Sequence, residues 1–343
     1  MTRLLVPELE ARRHLIEGYT QFPDVPEEVT NLWKAPFGPP EEWDLCVAEH
    51  TIDGPHGPVP VRVYMPTGPA PDGGRACLVW MHGGAFAWGD LDMAEAHEVA
   101  RGIAGRADVV VVSVDYRLCP VPAELGGTVD GRVDEQGRPV RFPVPQDDCA
   151  AVLDAVRDDP ARLGVDASRI AIGGASAGAA LAAAVTLRGV ANGRPPWQTL
   201  LVYPMLHPTV PELRDELAQA VAAVPGALQF PAWMIAATRR ATLGDDVEVP
   251  NGEAFPGLAD LEGFPPTYVE NCEFDAFRAS GELFSARLRA AGVDVVETTR
   301  AGVPHGHLDL VGFAPARRTL DALASRLRSS RPGPAPAPPA ANR

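Results

Sequence analysis

The chain has 343 residues, 46% of them hydrophobic and 22% charged, a composition that buries a sizeable core and excludes a wholly disordered chain. Its 45 acidic against 30 basic residues give a formal charge of -15, which repels phosphate backbones and anionic membranes and so argues against nucleic acid as a partner. The first residues are charged every few positions, with no apolar core of signal-peptide length, and the longest apolar stretch, 177–187, falls far short of the roughly 20 residues that span a bilayer. Neither export nor membrane insertion is expected. The five cysteines are odd in number and scattered without C-x-x-C spacing, which suggests neither a disulfide framework nor a zinc site and fits a reducing cytoplasm.

In chain order, residues 47–65 alternate apolar and polar on both sides of a Gly-Pro-rich break, the pattern of a β-hairpin. Short apolar runs at 76–83 and 108–116 flank a helical stretch near 92–104, which begins a β-α-β rhythm. The rhythm continues through a helix at 147–158, a strand at 169–175, an Ala-rich helix from 177 and a strand at 199–205. A strand at 266–272, a helix at 279–291, a strand at 293–299 and a helix at 315–328 complete it. This alternation predicts an α/β fold: an open, mostly parallel sheet with helices on both faces. Two segments without good strands are read as parts of a helical cap. The chain then divides into an N-terminal cap segment (1–45), a core (46–206), a cap insertion (207–262), a second core part (263–329) and a disordered Pro/Ala-rich tail (330–343). A polar, Gly-rich excursion follows Cys119, with a short hairpin expected around 135–137.

Gly174-Ala175-Ser176-Ala177-Gly178 is a G-x-S-x-G between a predicted strand and a predicted helix, the context that lifts a serine hydroxyl over a sheet edge. A lone G-x-S-x-G is also an ordinary Gly/Ser turn, so the flanking elements carry the weight. His82-Gly83-Gly84-Ala85 follows the strand at 76–83. A Gly-Gly turn there can aim the Gly83 and Gly84 N–H groups at a carbonyl oxygen, with Ala177 N–H completing an oxyanion hole. His82 itself is read as a residue that fixes the loop. His305, just beyond the last predicted strand, is the base that could reach Ser176, with His307 as its competitor. Asp275 directly follows the strand at 266–272 and could hold the imidazole tautomer, with Glu273 and Glu270 as fallback acids. Ala85, Phe86 and Trp88 are candidate pocket residues, and so is Trp233, although aromatics are more often core. His97-Glu98 is not a zinc-protease motif, because Arg101 stands where the second histidine would, and no nucleotide-binding glycine loop follows any strand. No metal or organic cofactor is expected.

HGGA (82–85), VDYRL (114–118), GASAG (174–178), the stretch from PPTYVENCEFDAF to SARLRAAGVDV, and VPHGH (303–307) resemble the hormone-sensitive-lipase-type family of α/β-hydrolase esterases. The likeness runs from about residue 47 to about 325, with 99 residues from Ser176 to Asp275 and 30 from Asp275 to His305. It implies an α/β-hydrolase fold with a helical cap, and a triad of Ser176, Asp275 and His305 with Gly83, Gly84 and Ala177 as oxyanion donors. It also implies hydrolysis of small to medium carboxylic esters through an acyl-enzyme, and a homodimer formed through the last strand and helix. The chain departs from the family's H-G-G-G and G-D-S-A-G-G at Ala85, Ala175 and Ala179, and its excursion after Leu118 is longer than usual. The same scaffold could also serve a biosynthetic elimination or cyclisation, or a non-catalytic ligand receptor.

Overall fold

A computed structural model describes residues 5–127, 133–134, 137–244 and 252–328. Among the described residues eight strands form one sheet: β1 (Leu45–Gly54), β2 (Gly57–Pro66), β3 (Arg75–Met81), β4 (Val110–Val114), β5 (Val165–Ala175), β6 (Thr199–Val202), β7 (Thr267–Phe274) and β8 (Val295–Pro304). Their spatial order is β1-β2-β4-β3-β5-β6-β7-β8. β1 and β2 pair antiparallel, β2 meets β4 antiparallel, and every pairing from β4 onward is parallel. The central strands are apolar runs because both of their faces are covered: all seven residues of β3 and all five of β4 are buried.

Alternate side chains feed two cores. Cys77, Val79 and Met81 of β3 join one cluster, whereas Ala76, Leu78 and Trp80 join the other. The first cluster takes its helical share from α4 (Val144–Asp158), α5 (Ala177–Ala191) and α8 (Arg278–Ala290). The second takes it from α3 (Ala94–Ala107) and α9 (Ala314–Arg328). α5 is buried almost all round, and its run of alanines lets it lie close to the sheet.

The N-terminal segment contributes α1 (Pro7–Glu10) and α2 (Glu27–Trp33), with Leu9, Ile16 and Trp33 buried in the second cluster. The segment after β6 contributes α6 (Asp215–Ala222) and α7 (Ala232–Leu243), with Ile235, Leu243 and Phe255 in the first. The two segments touch: Arg13 donates to the Ala223 carbonyl at 3.2 Å, and a Cβ on Gly226 would lie 2.2 Å from the Thr20 oxygen. In the excursion, Val133 and Pro139 pair as an antiparallel bridge, and Asp134 N–H donates to the Arg138 carbonyl at 2.8 Å. Residues 135 and 136 of the expected hairpin, and the tail 330–343, lie outside the described residues.

Three elements differ from expectation in ways that matter for function. β6 stops at Val202 rather than continuing to Met205, because Tyr203 turns to φ 37°. β7 runs two residues further, to Phe274, so Asp275 is the first residue beyond it. β8 extends to Pro304, which sets His305 directly at the strand's end.

Candidate active site

Ser176 stands between β5 and α5 with φ 54° and ψ -117°, a conformation that costs a non-glycine residue about 1–3 kcal/mol. The surroundings hold it there. Its N–H donates to the Val202 carbonyl at 2.9 Å, and its carbonyl accepts from the N–H groups of Ala179, Ala180 and Met205. The glycines on either side have steric reasons. A Cβ on Gly174 would lie 2.4 Å from the Gly178 carbonyl carbon and oxygen, and one on Gly178 would lie 2.2 Å from the Met81 oxygen. Ala175 and Ala179 are both fully buried.

The carboxyl ends of three parallel strands converge at this turn. His305 Nε2 is 2.8 Å from Ser176 Oγ, and His305 Nδ1 is 2.6 Å from Asp275 Oδ2. The other Asp275 oxygen accepts the Phe277 N–H at 2.9 Å, so the carboxylate is anchored independently of the histidine. With Nδ1 protonated, the imidazole donates to Asp275 and offers its Nε2 lone pair to the serine hydroxyl. Ser176 is 8% exposed and Asp275 2%, which leaves only a narrow approach to the nucleophile.

His307 does not compete. It is fully buried against α9, with Nε2 2.8 Å from Thr319 Oγ1 and Nδ1 3.3 Å from Cys272 Sγ, and burial lowers its pKa. The fallback acids are also engaged elsewhere. Glu270 accepts from Tyr268, Thr319 and Arg300. Burial alone would raise its pKa, but the neighbouring His307, at 3.6 Å, and the Arg300 guanidinium outweigh that and hold it at about 2. Glu273 accepts the Gly302 N–H at 2.7 Å. His82 stacks on Tyr116 with ring centroids 4.6 Å apart and closes onto its own loop, its Nδ1 2.7 Å from the Gly83 carbonyl.

One expectation needs correction. The Gly83 N–H donates to the buried Glu95 carboxylate, at 3.0 Å from Oε2, and is therefore spent on the protein itself. The loop then passes through three successive positive φ values, Gly84 at 103°, Ala85 at 50° and Phe86 at 62°. Neither the Gly84 nor the Ala85 N–H has an acceptor among the described residues, and the same holds for Ala177 at the start of α5. The unspent donors lie one residue further along the loop than the sequence predicts.

The aromatic candidates also separate. Phe86 is 1% exposed and part of the core, its carbonyl accepting the Cys119 N–H, so it is removed from the candidate pocket wall. Trp88 and Trp233 are each 38% exposed, and the Trp88 backbone closes the turn onto Gly84. Sequence reasoning missed the rings that do surround the base. Phe230 meets His305 edge-on at 4.8 Å, Tyr203 lies at 4.8 Å and Phe277 at 5.4 Å. No motif flags these three. Glu95 was also missed, although an acid on the apolar stripe of α3 beside Ala96, Val99 and Ala100 is a readable signal.

A profile described as the alpha/beta hydrolase fold matches residues 139–309, and one described as the carboxylesterase family matches residues 60–195. The chain is 31% identical to esterase LipI of Mycobacterium tuberculosis over 297 residues, covering 85% of this chain and 83% of that protein. It is 32% identical to carboxylesterase NlhH of the same species over 278 residues, covering 80% and 79%. Among solved structures it resembles EstE1, a thermostable carboxylesterase cloned from a metagenomic library, with a TM-score of 0.72, 29% identity and 93% and 96% of the two chains covered. It also resembles an esterase of the archaeon Pyrobaculum calidifontis, with a TM-score of 0.69, 29% identity and 82% and 85% covered.

Proposed function

The chain belongs to the hormone-sensitive-lipase-type family of α/β-hydrolase esterases, and on that premise we propose that it is a serine hydrolase cleaving small to medium carboxylic esters through an acyl-enzyme. The observation that carries the reading is the continuous hydrogen-bond chain from Ser176 through His305 to Asp275, at 2.8 and 2.6 Å. His305 takes the Ser176 proton as the hydroxyl attacks the ester carbonyl, and Asp275 stabilises the imidazolium that forms. The carbonyl oxygen, now negative, is held by the N–H groups of Gly84, Ala85 and Ala177, the last at the positive end of α5. His305 then protonates the departing alcohol, activates a water for the second attack, and the acid is released. Apart from the ester and the attacking water, the groups in this sequence are side chains and backbone N–H groups of the protein.

The Ala85 methyl and the partly buried Phe230 form the near wall of the substrate pocket in this reading, with Trp88 at its mouth. The segments 1–45 and 207–262 act together as the cap, supported by their contact through Arg13 and Gly226. The protein works in the cytoplasm, a reading supported by the buried thiols of Cys77, Cys149 and Cys272, which form no disulfide among the described residues. Homodimerisation through β8 and α9 belongs to the same proposal, with β8 at the edge of the sheet.

Hydrolysis of p-nitrophenyl esters from acetate to dodecanoate, by wild type and Ser176→Ala in parallel, tests the reaction. Short esters should be turned over, and Ser176→Ala should lower kcat by at least about 10⁴-fold. A folded wild type that cleaves none of the series would overturn the esterase reading in favour of elimination or cyclisation on the same scaffold.

A further inference from the structure

Glu95 takes no part in the chain from Ser176 to Asp275, yet its carboxylate touches both halves of the site. It lies in the first turn of α3 and is 4% exposed, with its backbone carbonyl accepting Trp80 Nε1–H at 2.9 Å. One carboxylate oxygen accepts the Gly83 N–H at 3.0 Å, and the other accepts the Tyr203 hydroxyl at 2.6 Å. Gly83 is wedged between this group and the nucleophile: a Cβ there would lie 2.7 Å from Glu95 Oε2 and 3.0 Å from Ser176 Cβ. Tyr203 is 1% exposed, is held at φ 37°, and sets its ring 4.8 Å from His305 and 5.3 Å from His307.

Taking a carboxylate out of water is costly, and burial raises the pKa of Glu95 accordingly. Such a group persists where its partners are fixed and satisfied. Here one partner is the residue immediately before the unspent donors Gly84 and Ala85, and the other is the ring packed against the base. The chain brings them together from three separate elements: the loop after β3, the first turn of α3 and the end of β6.

We propose that Glu95 is a positioning residue that fixes the oxyanion loop, through Gly83, against the base, through Tyr203. It thereby sets the distance between the oxyanion donors and His305. The assignment rests on the esterase reading above. Without the tie to Glu95, the Gly83 peptide is free to rotate and carries the following donors away from the position that the negative oxygen will occupy. Substrate binding in the ground state depends on other contacts, so the defect should fall on kcat rather than on KM.

The test compares Glu95→Leu, Glu95→Gln and Tyr203→Phe with wild type on a short p-nitrophenyl ester. It also measures inhibition by an alkyl trifluoromethyl ketone, to which a serine hydroxyl adds to form a tetrahedral oxyanion. Glu95→Leu removes both acceptors and should lower kcat by about 10²-fold, the scale of a mispositioned catalytic group, with KM within about threefold of wild type. The ketone should weaken by the same factor. Glu95→Gln keeps an acceptor for Gly83 and should restore most of both quantities. If Glu95→Leu does not fold, Tyr203→Phe decides: a parallel fall in kcat and ketone affinity supports the assignment. A folded Glu95→Leu or Tyr203→Phe with wild-type kcat and ketone affinity overturns it, and so does a loss confined to thermal stability. An inactive wild type would instead bring down the esterase reading and this assignment together.

Discussion

Asp275 is held by two donors of different kinds, the His305 Nδ1–H and the Phe277 N–H, and this decides how its replacement should behave. In Asp275→Asn the amide oxygen remains free to accept from Phe277, which turns the NH₂ toward His305. The imidazole must then carry its proton on Nε2, facing Ser176, and can no longer accept the hydroxyl proton. We expect folding to be retained and kcat to fall by about 10⁴-fold with little change in KM. Kinetics on p-nitrophenyl butyrate check this, and a loss of less than about tenfold would mean that another group orients the base. At the same scale, buried His82 and His307 serve structure: each is occupied within its own loop or against a helix, and burial lowers the pKa of each.

At the scale of elements, the site depends on how closely β3 and β5 run together at their carboxyl ends. Gly178, in the first turn of α5, faces the backbone of β3 and the loop beyond it: an added Cβ would lie 2.2 Å from the Met81 oxygen and 2.3 Å from the His82 oxygen. Backbone carbonyls in a central sheet cannot swing aside as a flexible side chain would. Gly178→Ala should therefore cost at least about 2 kcal/mol of stability and pry the oxyanion loop away from the nucleophile. Gly18→Ala, where no described residue lies within 4 Å of the new methyl, should stay within about 0.5 kcal/mol of wild type. Urea denaturation of the two variants makes the comparison. Equal midpoints would show that the elbow relaxes more easily than this packing implies.

For the whole molecule, buried histidines give folding a pH dependence whose sign follows from the direction of their shifts. His207 is 6% exposed, with Nδ1 2.7 Å from Ser280 Oγ, and burial together with the Arg287 charge lowers its pKa from 6.5 to about 4. The unfolded chain takes up this proton below pH 6.5, while the folded protein does not until about pH 4. The stability is therefore complete above 6.5 and lost as pH falls toward 4. The loss from this one residue is on the order of 3 kcal/mol in full, and about 2 kcal/mol by pH 5. His207→Gln keeps a side chain able to hydrogen-bond Ser280 and has no proton to bind. The difference in unfolding free energy between pH 7.5 and pH 5 should accordingly shrink by about 2 kcal/mol in this variant. An unchanged difference would show that His207 takes up its proton in the folded state at ordinary pH.

The sequence by itself determined what local pattern can encode. Apolar runs of strand length alternating with helical periods specify the parallel sheet, and the glycines around Ser176 specify its tight turn. Asp275 and His305 were readable because each directly follows an apolar run, and in an α/β sheet such residues gather at the carboxyl edge. What only the tertiary structure decided are pairings between residues distant in the chain. The Gly-Gly turn in the HGGA loop suggested that two consecutive N–H groups face the substrate and pointed to Gly83 and Gly84, one residue too early. That choice turns on Glu95, 12 residues further on, and Glu95 in turn meets Tyr203 across 108 residues. The rings around His305 come from the end of β6, from the segment before α7 and from the turn entering α8. No local propensity encodes that meeting, because it arises only when the sheet brings its strand ends together.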